Sequence, residues 1–471
     1  MNLTKTDTTR YLCAAAYLSP TFRDSVIQLI FKEDCKDIAI CHGVDLSTVL
    51  KHCLAAQKRE LNKHKFLAFI FLLACVSVLL PNDEWVFIFI LCFLLALILV
   101  FSEAWKLRYE IIAKTLAKSN FDPNYINLTF TQNEKIKLEE IARKQNSNII
   151  VYGGYSPFVG CGFELGGWSF VLNISKGKEI IEKTLTPIPF AIEELYEYVV
   201  NRIRELKLSE LSIEDKLCVN GQEIRGNSVL LPDIFSRPSS QVDDKYVKSF
   251  VNATTEHIRY YKHIKVITWQ GELVLSVFLR IRKINQQLFI ETNFFVLCPV
   301  KNEYYLYLVD AIEPEITIDK LMSLLISSVL ETVLLWPLSI LNIWNKANSK
   351  KQLQQQRKTM RRIIRETPNY NYGAINSVRE LASPSIYNQY FQQLDQEMYL
   401  KIIERQIIDS ICNFLENKNI DTSDLKNRQN AIFNQGVILS GGSIKATNLS
   451  VGEQAKSVLM SGDIAPFMPK M

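Results

Sequence analysis

Two uncharged apolar runs, FLAFIFLLACVSVLL (66–80) and WVFIFILCFLLALILVF (85–101), interrupt a chain that elsewhere mixes polar and apolar positions closely. Both faces of both runs are apolar, which fits helices in a bilayer better than helices with one wet side. Each falls a little short of the ~20 residues that a bilayer core prefers. The flanks make up the difference: Lys63, Lys65, Lys106 and Arg108 can snorkel, Trp85 and Trp105 sit at interface depth, and Pro81-Asn82 supplies a turn. The pattern predicts a two-helix transmembrane hairpin over 66–101. Lys58, Arg59, Lys63 and Lys65 before it and Lys106 and Arg108 after it, against Asp83-Glu84 in the loop, place both ends of the hairpin in the cytoplasm.

Residues 1–65 carry helical spacing over 8–18, 23–31 and 46–59, broken at Ser19-Pro20 and His42-Gly43. Beyond the hairpin, 103–119 continues as a helix and 133–145 is a second, rich in i,i+4 charge pairs. A short β-branched run follows at 148–152, then a glycine-dense stretch, then strand character at 168–174. Over 191–206, Ile192, Leu195, Tyr196, Val199, Ile203 and Leu206 recur on one helical face. From 261 to 300 the pattern becomes an antiparallel meander turning at Gln270-Gly271 and Asn285. Residues 102–320 therefore read as a cytoplasmic α+β domain with an antiparallel sheet.

A third apolar run occupies 321–344. Ser323, Ser327 and Glu331, with Ser328 beside them, suggest a wet stripe ending at Trp336-Pro337, hence an interfacial or buried amphipathic helix. Lys346, Lys350, Lys351, Arg357, Lys358, Arg361, Arg362 and Arg365 follow and are candidates for contact with anionic headgroups. The C-terminal helical region, 345–418, consists of this basic linker and a long helix over 386–415; 419–471 is a polar tail. Within the tail, GVILSGGSIKATNLSVGEQAKSV alternates small and apolar residues as a short β-arch would, and a disordered tail competes with that reading.

Composition narrows the classes. A hydrophobic share of 48% with 22% charged residues suits a globular protein with a small membrane part, and a net charge of +5 without a basic stripe argues against nucleic acid as a partner. Ten scattered cysteines read as free thiols in a reducing compartment.

Candidate chemistry is sparse. The stretch NIIVYGGYSPFVGCGFELGGWSF lets backbone amides approach an anion, with Gly153, Gly154, Gly160 and Gly162 as ligand-binding candidates, but it carries neither a P-loop nor the dinucleotide fingerprint. A tight strand connection explains the same glycines without a ligand. Cys35, Cys41, His42, His52 and Cys53 concentrate thiols and imidazoles without the paired spacing of a zinc site, so no metal ligand, cofactor or catalytic residue is assigned.

The segments YLCAAAYL, GVDL, YSPFVGCGFELGGWSF and WQGELVLSVFLR resemble a group of uncharacterised bacterial membrane proteins with an N-terminal two-helix transmembrane hairpin. The resemblance spans most of 11–308 and implies the anchor and the boundaries, with no activity attached. The tail is similar, over some twenty residues, to segments of bacterial conflict and signalling proteins. The expectation is a non-enzymatic, multi-pass inner-membrane sensor or scaffold that works with an unknown protein partner or as a homo-oligomer. A membrane-perturbing effector of a defence pathway is the alternative, and an enzyme using the glycine-rich segment ranks third.

Overall fold

The computed structural model describes residues 6–78, 84–123, 126, 129–180, 183–309 and 317–427. The expected turn at Pro81-Asn82 and the arch at 436–458 lie outside these residues. The chain divides into two compact units: Met1–Phe163, Leu208–Arg280 and Phe295–Tyr399 form the first, and Glu164–Lys207, Ile281–Phe294 and Leu400–Met471 the second.

The first unit opens with α1 (Asp7–Leu18), whose N-cap Thr6 accepts from the Thr9 amide. Ser19 then caps α2 (Pro20–Val26), with Pro20 in the first turn, where its missing N–H costs nothing. A π-type turn over Ile27–Lys32 precedes α3 (Leu46–Ser77), which starts in a protein core and runs unbroken into the first apolar stretch. Then come α4 (Glu84–Trp105), continued in π-type geometry over Lys106–Thr115, and α5 (Gln132–Lys144), opened by a Thr131/Glu134 capping box. Leu12, Val49, Leu50, Leu116 and Ile141 are among the residues of the helical core that these elements build.

After β1 (Ile149–Tyr152), β2 (Phe163–Asn173) carries the chain into the second unit with β3 (Glu179–Ile180), β4 (Lys183–Thr184) and α6 (Ile192–Arg204). The apolar face read from the sequence is the buried face of α6, and the Tyr196 hydroxyl donates to the Ile281 carbonyl. Trp168 donates its indole N–H to Glu404 at 2.9 Å within the same unit.

The chain returns through β5 (Leu211–Asn220), α7 (Asp244–Lys248, capped by Asp243), β6 (Ile258–Thr268) and β7 (Leu273–Ile284). β5, β6 and β7 pair antiparallel, turning at Trp269–Gly271 as expected. β1, however, lies parallel to β5, with Ile149 opposite Leu217 and Val151 opposite Val219. The sheet is thus mixed rather than antiparallel, because a long connection through the second unit brings the chain back in the same direction. β8 (Gln287–Leu297), α8 (Asn302–Val309), α9 (Ile318–Glu366), α10 (Val378–Leu381) and α11 (Tyr390–Asn417) complete the order.

Two corrections concern α9. Its 49 residues pass straight through Pro337, where the sequence suggested a break. Packing holds it there: the Trp336 ring lies 5.5 Å from those of Phe71 and Phe89 and 5.7 Å from that of Phe93, between α3 and α4. The wet stripe is present in Ser323 and Ser327, which are exposed, and in the half-buried Glu331, and needs correcting only at Ser328. Ser328, Thr332 and Ser339 are buried, each hydroxyl donating to a carbonyl of the preceding turn, while Leu330, Leu334 and Leu341 are exposed. Small side chains that satisfy themselves let helices approach, so the larger apolar ones are left outside. The α4 helix with its continuation, Trp85–Thr115, and α9 are both long and apolar enough to cross a membrane.

The long helix expected over 386–415 turns apolar side chains outward at its start. Phe391, Leu394 and Met398 are exposed, and Gln392 and Gln396 are buried instead, Gln392 donating to Glu272 at 3.0 Å.

Candidate functional site

The first unit buries a polar layer on one face of its sheet. Alternate residues of a strand share a face, so Tyr261, His263 and Lys265 of β6 point the same way. Register places Lys216, Glu214 and Ser212 of β5 beside them, and Phe278 and Ser276 of β7 on the other flank. Glu214 bridges Lys216 at 2.8 Å and Lys265 at 3.1 Å. Against the upward push of burial, those two ammonium groups hold the Glu214 carboxyl down at about 2. Burial lowers Lys216 even with Glu214 beside it.

Over this layer folds the glycine-rich turn. Gly160 and Gly162 adopt φ of +97° and +87°, open to glycine at little cost. A Cβ on Gly160 would meet the Ile40 carbonyl oxygen at 2.4 Å, and one on Gly162 the Val296 oxygen at 2.3 Å. The bare backbone therefore lets the turn sit directly on the segment leading to His42. Both amides donate to one oxygen of Glu380, at 2.8 and 3.0 Å. The anion cradled by these amides is thus a carboxylate of the same chain. The other two glycine candidates differ: the Gly153 amide donates to the Ala374 carbonyl at 2.8 Å, and Gly154 has open space around it.

Pinned between those two amides, Cys161 comes together with His42 and His263. Its sulfur is 3.8 Å from His42 Nε2, and one ligand atom from each of the three residues lies within 4.8 Å of the others. The His263 ring stacks on Phe278 at 4.3 Å with 2° between planes, and His42 approaches it edge-on at 5.3 Å. Exposure is 0% for Cys161 and His263 and 3% for His42, and neither ring nitrogen of His263 has a hydrogen-bond partner among the described residues. Burial pushes the Cys161 thiol up, reinforced by Glu380 and partly offset by Ser276. Burial, then Lys265 and Lys216, hold His42 well below its ordinary value; burial, then His42 and the same lysines, do so for His263. Two neutral imidazoles and a thiol form a donor set suited to a borderline or soft metal ion.

The sequence offered little sign of this cluster. Cys161 and His42 are 119 residues apart, and of the Cys/His concentration at 35–53 only His42 takes part. Cys13 and Cys53 are fully buried in the helical core, and His52 Nδ1 meets the Tyr17 hydroxyl at 3.1 Å. The nearest signal was a cysteine flanked by two glycines.

The eight basic candidates lie along the C-terminal part of α9, within about 160° of its circumference at about 100° per residue. Arg357 pairs with Asp34 at 2.8 Å, Arg361 and Arg365 lie over the Phe235 ring, and Arg362 pairs with Glu366. Lys351 and Lys358 are exposed and Lys346 is half-buried. A cleft of about 820 Å³ opens between this part of α9 and residues 28–35, with Phe235 in its wall.

No curated protein and no solved structure matches the chain. A model of the AbeC-like domain family matches residues 167–446, starting just past the glycine-rich turn and including His263 but neither His42 nor Cys161. With more than half of its length inside that match, the chain belongs to the AbeC-like domain family.

Proposed function

We propose that the chain is a membrane-anchored, non-enzymatic sensor or scaffold, held by a bundle of α3, α4 and the apolar half of α9. The observation that carries this reading is the inside-out character of the bundle. Leu67, Ala74, Cys92, Ala96, Val100 and Trp336 are buried between the helices. Phe66, Phe69, Phe87, Ile98, Leu330 and Leu334 are all at least 60% exposed on the outside. A soluble monomer seldom presents so continuous an apolar girdle, whereas lipid would cover it.

Charge marks one end of the bundle. Arg59 pairs with Glu103 at 2.6 Å and Lys63 with Glu331 at 2.6 Å. With Lys58, Lys65, Lys106 and Arg108 nearby in sequence, this end is the cytoplasmic one. Arg357 pairs with Asp34, and Arg361 and Arg365 lie over Phe235, all within the first unit.

The test is fractionation followed by topology mapping. The chain should stay with membranes through an alkaline wash and need detergent for release. A reporter placed before Lys58 should read cytoplasmic and one between Asn82 and Asp83 external. A monodisperse, detergent-free monomer would refute the anchor. Depolarisation of the host on induced expression would favour the membrane-perturbing effector over the scaffold.

A further inference from the structure

We propose that His42, Cys161 and His263 bind one thiophilic d10 metal ion, zinc(II) or copper(I), as a buried three-residue centre. Three independent observations converge on it. The first is chemical: two imidazoles and one thiol converge with no carboxylate among them, which disfavours magnesium and calcium and suits zinc or copper(I).

The second is geometric. Metal–sulfur and metal–nitrogen bonds of about 2.3 and 2.05 Å at a tetrahedral angle put the two donors about 3.6 Å apart. Cys161 Sγ and His42 Nε2 are 3.8 Å apart. With all three ligand atoms inside 4.8 Å, a contraction of about 1.5 Å at most closes the set around an ion.

The third is the unmet hydrogen bonding of His263. An imidazole with no exposure and no partner on either nitrogen is a poor choice for a strand centre that must only pack against Phe278. A lone pair on one nitrogen directed at a metal satisfies one of the two.

Binding requires the thiolate, so one proton leaves Cys161 for solvent as the metal–sulfur bond forms. Copper(I) with the thiolate gives a neutral complex that three donors complete. Zinc(II) leaves one positive charge and a fourth position, which the buried Ser276 hydroxyl beside the thiol can fill directly or through a water. Glu380 is the positioning residue, because it fixes both amides that flank Cys161.

The experiment uses the full chain in detergent under reducing conditions. Elemental analysis, after loading with zinc or copper(I) and desalting, should find about one ion per chain. Competition with a zinc-specific and with a copper(I)-specific chromophoric chelator tells the two ions apart. Cys161→Ser should lower the bound ion by more than tenfold. His263→Phe adds a readout that packing alone would move the other way: losing a metal ligand lowers the melting temperature, whereas removing an idle imidazole keeps or raises it. The proposal is overturned if the folded wild-type chain takes up neither ion in stoichiometric amount, or if His263→Phe is as stable as the wild type.

Discussion

Replacing Glu380 by alanine tests whether the glycine-rich turn is held from within. The carboxylate accepts the Gly160 and Gly162 amides through one oxygen and the Ser377 amide through the other, the last as part of the α10 capping box. An amide left without a partner in a buried place costs about 1–3 kcal/mol, and loss of a capping interaction about 1 kcal/mol. Gly160 is buried and Gly162 half-buried, so the second amide recovers part of its loss from water. The sum is about 2–5 kcal/mol, a large fraction of the ~5–15 kcal/mol that holds a typical domain. Thermal unfolding of the detergent-solubilised chain, followed by near-UV circular dichroism, should show a clear drop in midpoint for Glu380→Ala. Glu380→Gln, which keeps an oxygen for the two glycine amides, should fall in between. An alanine variant within about 0.5 kcal/mol of the wild type would show that the turn does not depend on this carboxylate.

Acid should destabilise the fold through buried imidazoles: burial lowers His52 to about 4, so its contribution is complete above its unfolded value near 6.5 and disappears as the pH falls towards 4. That amounts to about 2 kcal/mol by pH 5, and His52→Gln should flatten the dependence of the melting temperature on pH over this window; an unchanged slope would refute it. Gly160→Val and Gly167→Val should both lower folded yield, since their Cβ atoms would meet the Ile40 and Thr292 carbonyl oxygens at 2.4 and 2.3 Å, and normal yields would contradict those close approaches. Arg379 is fully buried, is lowered to about 10 by burial, and donates to the Glu272 and Cys298 carbonyls at 2.9 Å each. Arg379→Lys should therefore fail to restore the folded yield lost in Arg379→Ala, because an ammonium cannot reproduce the guanidinium fork; full recovery with lysine would show that charge alone suffices.

Where a local signal decides the structure, the sequence was readable. The α6 stripe and the β6–β7 turn are each contained within a short window. β5 was missed because LSIEDKLCVN has three charged residues at its middle, two of which find partners on another strand: Glu214 with Lys265, and Asp215 with Lys262. The parallel pairing of β1 depends on a distant return of the chain, and the continuity of α9 through Pro337 depends on what Trp336 packs against. The buried cluster was the least readable, since its donors come from a loop, a turn and a strand with no spacing to join them.

The unbroken length of α9 has a consequence best put in terms of phase. At about 1.5 Å per residue its 49 residues make a rod of about 74 Å, and the azimuth of every side chain on it is set relative to every other. The face carrying Trp336 and the face carrying Arg357 are therefore locked by the count of residues between them. One residue added between Trp344 and Gln356 would advance the basic half by about 100°, taking Arg357 off Asp34 while Trp336 kept its place. Seven added residues would restore the facing to within about 20° but move the contact about 10 Å along the axis. The apolar half and the basic half thus behave as two hands of one shaft, and a twist at either end arrives at the other.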